Sequence, residues 1–281
     1  MMDYFCGWYF KCQSEECTAS VIVATHTSDE GKSASIQLIT ERGAWCVPYS
    51  YDKFTLDKRN FEISLGANRL NRHGVRLCLS TPELSAIGYL RFGELSPIAY
   101  DIMGPFKYVP LMQCRHSVVS MEHSVNGELW INGEHLVFSN AKGYIEGDRG
   151  RSFPKKYAWC HSFFGGGSVM LSVATIPLGV LNFTGIISVI HYRGKEYRLA
   201  TYLGARLYRA EDGEITVRQR DEVLSVKFID TPKHPLKAPT KGKMSRIIRE
   251  SAACRARVSF EKGGVMIFDF ESDRVSAEYE L

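Results

Sequence analysis

An all-β fold is predicted for this 281-residue chain, because short runs rich in β-branched and aromatic residues alternate with turn residues along most of its length. Helical periodicity is nearly absent from the first half. Three tight-turn pairs, Asn126-Gly127, Asn132-Gly133 and Arg193-Gly194, indicate hairpins. Together these observations favour antiparallel β-sandwich or β-barrel units.

The predicted elements follow one another at short spacing. In the first half, strands are predicted over residues 7–11, 18–26, 33–40, 44–47, 60–65, 75–80 and 86–92. In the second half, strands are predicted over residues 117–125, 129–132, 135–138, 157–164, 169–176, 183–192, 195–202, 206–209, 214–220, 222–228, 255–261, 265–271 and 274–280. One short helix is predicted over residues 243–254, where Met244, Ile247, Ile248 and Ala252 recur at helical spacing.

A proline-rich segment divides the chain into two expected domains. Residues 93–113 contain three prolines and are predicted to form a connection rather than a strand. The expected domains are therefore residues 1–112 and residues 113–281. The uncharged stretch 163–190 is interrupted by glycine, proline and asparagine, so two buried strands are predicted there instead of a membrane-spanning helix.

Composition excludes several classes of function. The net charge of +4 is too small to indicate a nucleic-acid partner, and no RNA-binding or zinc-finger motif is present. The eight cysteines form no CxxC pair and match no common zinc spacing, so reduced buried thiols in the cytoplasm are expected and no metal site is predicted. The N-terminus lacks the pattern of a signal peptide. Nucleotide-binding and nucleophile-elbow motifs are also missing.

Residues 143–161 hold an unusual concentration of chemical groups. The glycines in this stretch indicate a bent loop, followed by a strand. Its acidic, basic, aromatic and imidazole side chains are Tyr144, Glu146, Asp148, Arg149, Arg151, Phe153, Tyr157, Trp159 and His161. A surface loop held by Arg–carboxylate pairs explains the charges but not the aromatic neighbours. The mixture favours a site that delivers a proton into an apolar cavity.

A second polar cluster lies on the strand predicted over residues 117–125. Arg115 and His123 share a face with apolar residues there, and His116 and Glu122 lie on the same short segment. A ligand-lined barrel interior has this pattern. A hydrogen-bonded core histidine explains it equally well.

Three sequence blocks resemble the tocopherol cyclase family. The central block is Gly143-Tyr144-Ile145-Glu146 with Asp148, Gly150, Ser152-Phe153-Pro154-Lys155 and Trp159. The second joins Asp101-Ile102-Met103-Gly104-Pro105-Phe106 to His116-Ser117-Val118-Val119-Ser120-Met121, and the third is Leu236-Lys237-Ala238-Pro239-Thr240. Three positions depart from the family pattern: Arg149 and Tyr157 replace tryptophan, and His161 replaces glutamine.

The resemblance implies two lipocalin-like β units, akin to those of carotenoid hydratases. It also implies ring closure of a prenylated hydroquinone to a chromanol without a redox cofactor. Under this hypothesis Asp148 or Glu146 is the acid that protonates an alkene, with Glu122 as a third candidate.

The other candidate residues would surround the reacting groups. Trp159 and Tyr157 would stabilise the carbocation through their π faces. His161, His116 or His123 would orient the phenol or take its proton. Tyr144, Arg149, Arg151, Phe153 and Arg115 would complete the substrate-binding set.

Two other functions fit the same residues. One is a carrier that binds a hydrophobic small molecule without changing it, and the other is an isoprenoid hydratase that adds water. A basic stretch from residue 233 to 249 is expected to be a solvated loop, with contact to an anionic membrane surface as the alternative.

Overall fold

The computed structural model describes residues 3–110, 112–178, 181–230 and 234–281. Within these ranges the chain is almost entirely β-structure, which confirms the predicted all-β class. The helices of the described residues are three short 3₁₀ turns, at Tyr51–Lys53, Gly104–Tyr108 and Thr201–Leu203. In this described part of the chain, no helix has the length and apolar character that crossing a membrane requires.

The chain forms two compact units, each built from three segments. The first unit comprises Met1–Pro97, His116–Ser152 and Leu236–Ile247. The second comprises Ile98–Arg115, Phe153–Pro235 and Ile248–Leu281. The boundary predicted at residue 112 falls within the first of these second-unit segments.

The first sheet contains eleven strands, in the order β4-β3-β2-β1-β11-β10-β9-β8-β7-β6-β5. They are β1 (Tyr4–Gln13), β2 (Thr18–Ser28), β3 (Gly31–Thr40), β4 (Ala44–Ser50), β5 (Phe54–Asp57), β6 (Glu62–Leu65), β7 (Asn68–Asn71), β8 (Gly74–Ser80), β9 (Ser85–Phe92), β10 (Cys114–Ile131) and β11 (Glu134–Gly150). The chain returns after nine strands to place β11 beside β1. This return places residues 116–121 of the second sequence block and residues 143–150 of the central block in one sheet.

The first unit has an apolar core on one side of this sheet. Alternation directs Phe10 of β1, Val21 of β2 and Leu38 of β3 into that core, in one cross-strand row. The opposite face of β1 is also buried, and it carries Tyr9 and the wholly buried Lys11. Polar groups on that second face must find partners there, because burial without them is costly.

The second sheet contains ten strands, in the order β15-β14-β13-β12-β21-β20-β18-β17-β16, with β19 paired to β20. They are β12 (Tyr157–Phe164), β13 (Gly167–Leu178), β14 (Leu181–Tyr192), β15 (Lys195–Ala200), β16 (Arg206–Glu211), β17 (Glu214–Gln219), β18 (Glu222–Phe228), β19 (His234–Thr240), β20 (Lys243–Lys262) and β21 (Val265–Tyr279). A second apolar core packs on one side of this sheet.

The predicted helix over residues 243–254 is wrong, because this segment belongs to strand β20. Burial follows a period of two, with Ile248, Glu250 and Ala252 buried while Arg249 is exposed. Ile247, which helical spacing placed on the apolar stripe, is 58% exposed. Sheet pairing along β20 therefore overrides a short and coincidental helical pattern.

One predicted hairpin is also wrong, since β10 runs without a break through Asn126-Gly127. Gly127 is required for close approach instead, because a Cβ there would lie 2.1 Å from the Tyr89 carbonyl oxygen of β9. The turns at Asn132-Gly133 and Arg193-Gly194 are confirmed. Both residues of each pair have positive φ, as a type I′ turn requires.

Candidate active site

Strand β11 presents Tyr144, Glu146 and Asp148 on one face, because they occupy alternate positions. The segment was expected to be a loop, but its backbone pairs with β1, and Glu146 lies opposite Tyr9. Gly147 does not bend the chain there. Its lack of a side chain allows the close approach of β1, since a Cβ at this position would lie 3.0 Å from the Gly7 carbonyl oxygen.

The imidazole ring of His116, on β10, lies between the two carboxylates. Its Nδ1 lies 3.1 Å from Oδ1 of Asp148, and its Nε2 lies 3.2 Å from Oε2 of Glu146. The Tyr144 hydroxyl donates a hydrogen bond of 2.5 Å to the same Glu146 oxygen. Ser117 fixes the two strands locally, because its hydroxyl donates to the Gly147 carbonyl oxygen at 2.9 Å. We call Tyr144, Glu146, His116 and Asp148 the proton centre.

The proton centre holds a positive charge on His116. Burial by itself would lower the pKa of this imidazole, but the charges of Glu146 and Asp148 and their hydrogen bonds raise the pKa well above its usual 6.5. The ring is therefore an imidazolium at neutral pH, whose Nδ1–H donates a hydrogen bond to Asp148 and whose Nε2 lies within ion-pair distance of Glu146. Burial, together with the nearby Glu146 charge, raises the pKa of Tyr144 well above its usual 10.0, so this phenol stays protonated.

Solvent reaches one side of the proton centre. The side chains of His116 and Glu146 are 9% and 7% exposed, whereas that of Asp148 is 23% exposed. Water can therefore reach Asp148, whereas Glu146 is sheltered from it.

The residue types of the proton centre also suit a metal ion, since their ligand atoms lie within 4.8 Å of one another. The positions of the ligand atoms disfavour metal binding. Each ring nitrogen of His116 faces a different carboxylate, so one cation bound to either nitrogen would lie away from the other acid. The arrangement fits an imidazolium better than it fits a metal.

Glu122 and His123 lie on β10 but face other partners. Glu122 forms an ion pair with Lys142 at 3.1 Å, and both side chains are more than a third exposed. Buried His123 contacts the Ser120 hydroxyl through Nδ1 at 3.0 Å and packs against the Phe92 ring. Burial lowers the pKa of His123 to about 4, so this ring is neutral.

The arginine side chains that were predicted to bind substrate lie on the surface or donate to a backbone carbonyl group. Arg149 and Arg151 are exposed. Arg115 belongs to the second unit, where its guanidinium donates to the Val109 carbonyl oxygen at 2.9 Å.

The remaining aromatic candidates also belong to the second unit. Phe153 packs edge-on against Tyr157, whose hydroxyl donates to Glu278. Trp159 is buried on the same face of β12, and His161 is wholly buried with its ring edge-on to Phe163.

Two groups near the proton centre were not singled out from the sequence. Lys11 lies opposite Tyr144 in the β1–β11 ladder, and Tyr9 lies opposite Glu146. The Ser20 hydroxyl donates to the Tyr9 hydroxyl at 2.8 Å. The available signal was a lysine between aromatic and cysteine residues in a strand, which is unusual for a solvated position.

A cavity of about 460 Å³ in the second unit is charged rather than apolar. It is lined by Lys195, Glu196, Tyr197, Arg198, Gln219, Arg220, Asp221, Glu222 and Lys262. Its two best-buried acids are already paired, Glu196 with Arg198 and Glu222 with Lys262. This cavity is therefore not the apolar chamber that the sequence led us to expect.

Comparisons with known proteins agree with the fold. Residues 86–279 match a family model described as tocopherol cyclase-like. The structure of CghA with Sch210972 is similar at a TM-score of 0.66 and 11% identity, covering 99% of this chain and 89% of that one. Kievitone hydratase from Nectria haematococca is similar at a TM-score of 0.58 and 9% identity, with coverage of 99% and 89%. No protein in the curated set matches the sequence. At such identities the structural likeness shows the fold alone.

Proposed function

Because the chain belongs to the tocopherol cyclase-like family, we propose that it isomerises a hydrophobic prenylated quinol by proton transfer, without a redox cofactor. The prenyl double bond is protonated, and a phenolic oxygen then closes a ring on the resulting cation. One observation supports this proposal above the others: the buried His116 ring lies between Glu146 and Asp148, and the Tyr144 hydroxyl donates to the same sheltered Glu146 oxygen. General acid–base groups of this kind typically accelerate reactions about 10²–10⁴-fold.

Each member of the proton centre has a role in this proposal. His116 stores the proton, and Glu146 passes it to the less substituted alkene carbon. The hydrogen bond from Tyr144 stabilises the Glu146 carboxylate that remains. Asp148 accepts a hydrogen bond from His116 and links the centre to solvent, so that protons can be replaced.

The substrate gains one proton and loses one proton during the reaction. One proton leaves the centre and forms a C–H bond, which leaves a tertiary cation. The phenolic oxygen forms the C–O bond, and the phenolic proton passes to Glu146 and from Glu146 to His116. Substrate and product are therefore isomers, and the proton centre ends in its starting state.

The proposal keeps the predicted aromatic contribution. Aromatic π faces stabilise a cation by up to about 2 kcal/mol in a desolvated site, and Tyr157 and Trp159 remain the residues that the sequence predicts for this role. Arg149, Arg151, Phe153 and His161 remain predicted substrate-binding or orienting residues.

Incubation of the purified protein with a prenylated hydroquinone, without added cofactor, tests the function. A product of unchanged mass and altered retention is expected. A product heavier by one water would identify a hydratase, and bound but unchanged substrate would identify a carrier; either result would overturn the cyclase proposal.

Three variants test the proposed roles. Glu146→Gln and Asp148→Asn are expected to lower kcat by about 10²–10⁴-fold while substrate still binds. Glu128→Gln is the matched control, because Glu128 pairs with His135 on the same two strands but its side chain is 60% exposed. Full turnover by Glu146→Gln would exclude this carboxyl group as the acid.

A further inference from the structure

The solvent side of strands β8 to β11 carries large apolar side chains. These strands direct Leu77, Leu90 and Leu129 into the core of the first unit, so their other side chains face outward. On that outward side, which we call the outer face, the exposed apolar side chains are Ile87 (57%), Tyr89 (51%), Trp130 (46%) and Val137 (49%). Polar residues normally occupy the solvent side of such a sheet.

The apolar residues of the outer face are contiguous. Cys78 lies opposite Ile87 in the β8–β9 ladder, and Ile87 lies opposite Trp130 in the β9–β10 ladder. The Trp130 ring stacks on His135 of β11, with ring centroids 4.2 Å apart. The row therefore crosses four strands, which scattered surface residues would not do.

The same face has an excess of positive charge. Arg76 lies between Arg69 and Tyr89 in the cross-strand register, and Arg91 lies further along β9. Arg76 and Arg91 make no ion pair among the described residues. The acid of this face, Glu128, is already bonded to His135 at 2.7 Å.

Apolar residues flanked by uncompensated guanidiniums restrict the kind of partner. Two copies of this chain packed face to face would bring like charges together, which is unfavourable. A nucleic acid would use aromatic stacking, whereas Ile87, Val137 and Cys78 offer little surface for it. Trp, Tyr and aliphatic residues beside arginine suit the interface of an anionic bilayer.

We propose that the outer face docks this protein onto the surface of an anionic lipid bilayer. Ile87 and Trp130 enter the headgroup region, and Arg76 and Arg91 contact lipid phosphates or carboxylates. The assignment stands on exposure, register and charge, and does not depend on the proposed reaction.

Co-sedimentation of the full chain with phosphatidylcholine vesicles, with and without phosphatidylserine, tests the proposal. Binding is expected only when the anionic lipid is present, and it should weaken as salt is added. The Ile87→Ser/Trp130→Ser variant should bind at least about tenfold less. Arg76→Gln and Arg91→Gln should each lower binding about fivefold.

Two control variants distinguish vesicle binding by the outer face from nonspecific binding by exposed apolar side chains elsewhere. Ile247→Ser and Tyr208→Ser remove side chains that are 58% and 66% exposed on other strands, and they should bind vesicles as the unmodified chain does. Since all of these are surface changes, thermal unfolding should confirm that every variant folds.

Absence of binding to anionic vesicles would overturn the proposal, as would equal binding by the outer-face variants. Concentration-dependent dimers lost in Ile87→Ser/Trp130→Ser would overturn it in favour of a second copy, and tighter binding to an oligonucleotide than to vesicles would favour nucleic acid.

Discussion

His116 remains charged in a buried position because a carboxylate faces each of its ring nitrogens. Its pKa is raised in the folded protein above the usual 6.5, so the folded chain holds this proton more tightly than the unfolded chain does. The stabilisation is fully present below about pH 6.5 and is lost as the pH rises through the folded pKa.

This linkage gives a pH-dependent prediction. Above about pH 6.5, the free energy of unfolding of the unmodified chain should decrease with pH. His116→Gln should be less stable throughout but should lack this component of the slope. Chemical denaturation at a series of pH values measures both quantities, and equal slopes in the two proteins would contradict the charge assignment.

Tyr144 is expected to act through Glu146 rather than on the substrate directly. Tyr144→Phe keeps the ring but removes the hydroxyl that donates to Glu146. Hydrogen bonds to charged groups contribute about 1.5–3 kcal/mol, so kcat should fall roughly ten- to hundredfold while the substrate Kd changes little. Tyr49→Phe is the control, since that hydroxyl bonds to Asn68 instead of an acid. A change confined to Kd would assign Tyr144 to binding.

Gly143 leaves room for the His123 ring. A Cβ at this position would lie 2.2 Å from Nε2 of His123, so Gly143→Ala must displace the imidazole. Overpacking of this kind typically costs about 1–3 kcal/mol. Denaturation should show that loss, and adding His123→Ala should recover part of it. Additive losses in the double variant would show that the two residues do not compete for space.

For the secondary-structure elements, the sequence predicted the positions of the strands better than it predicted which side chains share a face. The expected alternation placed Arg115 and His123 on one face of a single strand. In β10 the buried positions are even-numbered up to Ser120 and odd-numbered from Met121. This change of phase turns His116 toward the acids of β11 and His123 toward the apolar core. A local irregularity in a ladder depends on neighbouring strands, so no single-strand pattern reveals it.

Gln219 joins two strands that are not neighbours in the sheet order. Its side chain accepts a hydrogen bond from the Ala200 amide of β15 at 3.0 Å and donates to the Arg198 carbonyl oxygen at 2.7 Å. Since β17, which carries Gln219, lies near the opposite end of the sheet from β15, this side chain ties the two ends together.

Removal of the two Gln219 hydrogen bonds should lower the free energy of unfolding measurably. Gln219→Leu leaves two buried backbone groups without their partner, at about 1–3 kcal/mol for each group. Hydrogen exchange at the Ala200 amide should accelerate, and the free energy of unfolding should fall. Gln219→Glu keeps an acceptor for Ala200 and should have a smaller effect on that amide. Unchanged exchange in Gln219→Leu would mean that other contacts hold the two ends together.

At the scale of the whole molecule, the sequence blocks serve different purposes. Tyr144, Glu146 and Asp148 of the central block form the proton centre with His116 in the first unit. The block around Gly104 packs within the second unit, where a Cβ at Gly104 would lie 2.6 Å from the Tyr202 ring and Phe106 packs against Phe183. The all-β class and family could thus be predicted, because both depend on local patterns. The contact of His116 with Glu146 and Asp148 could not, because it depends on the change in alternation within β10, which the sequence of one strand does not reveal.

His116 is an imidazolium that lies between a buried and a half-buried carboxylate. Nitrogen NMR of histidine-labelled protein tests this charge most directly, because the ring nitrogens report their protonation. We predict that one buried histidine keeps both ring nitrogens protonated at about pH 8, where an unshifted histidine is neutral. That signal should disappear in His116→Gln. A spectrum in which every histidine ring is neutral at this pH would show that His116 carries no charge.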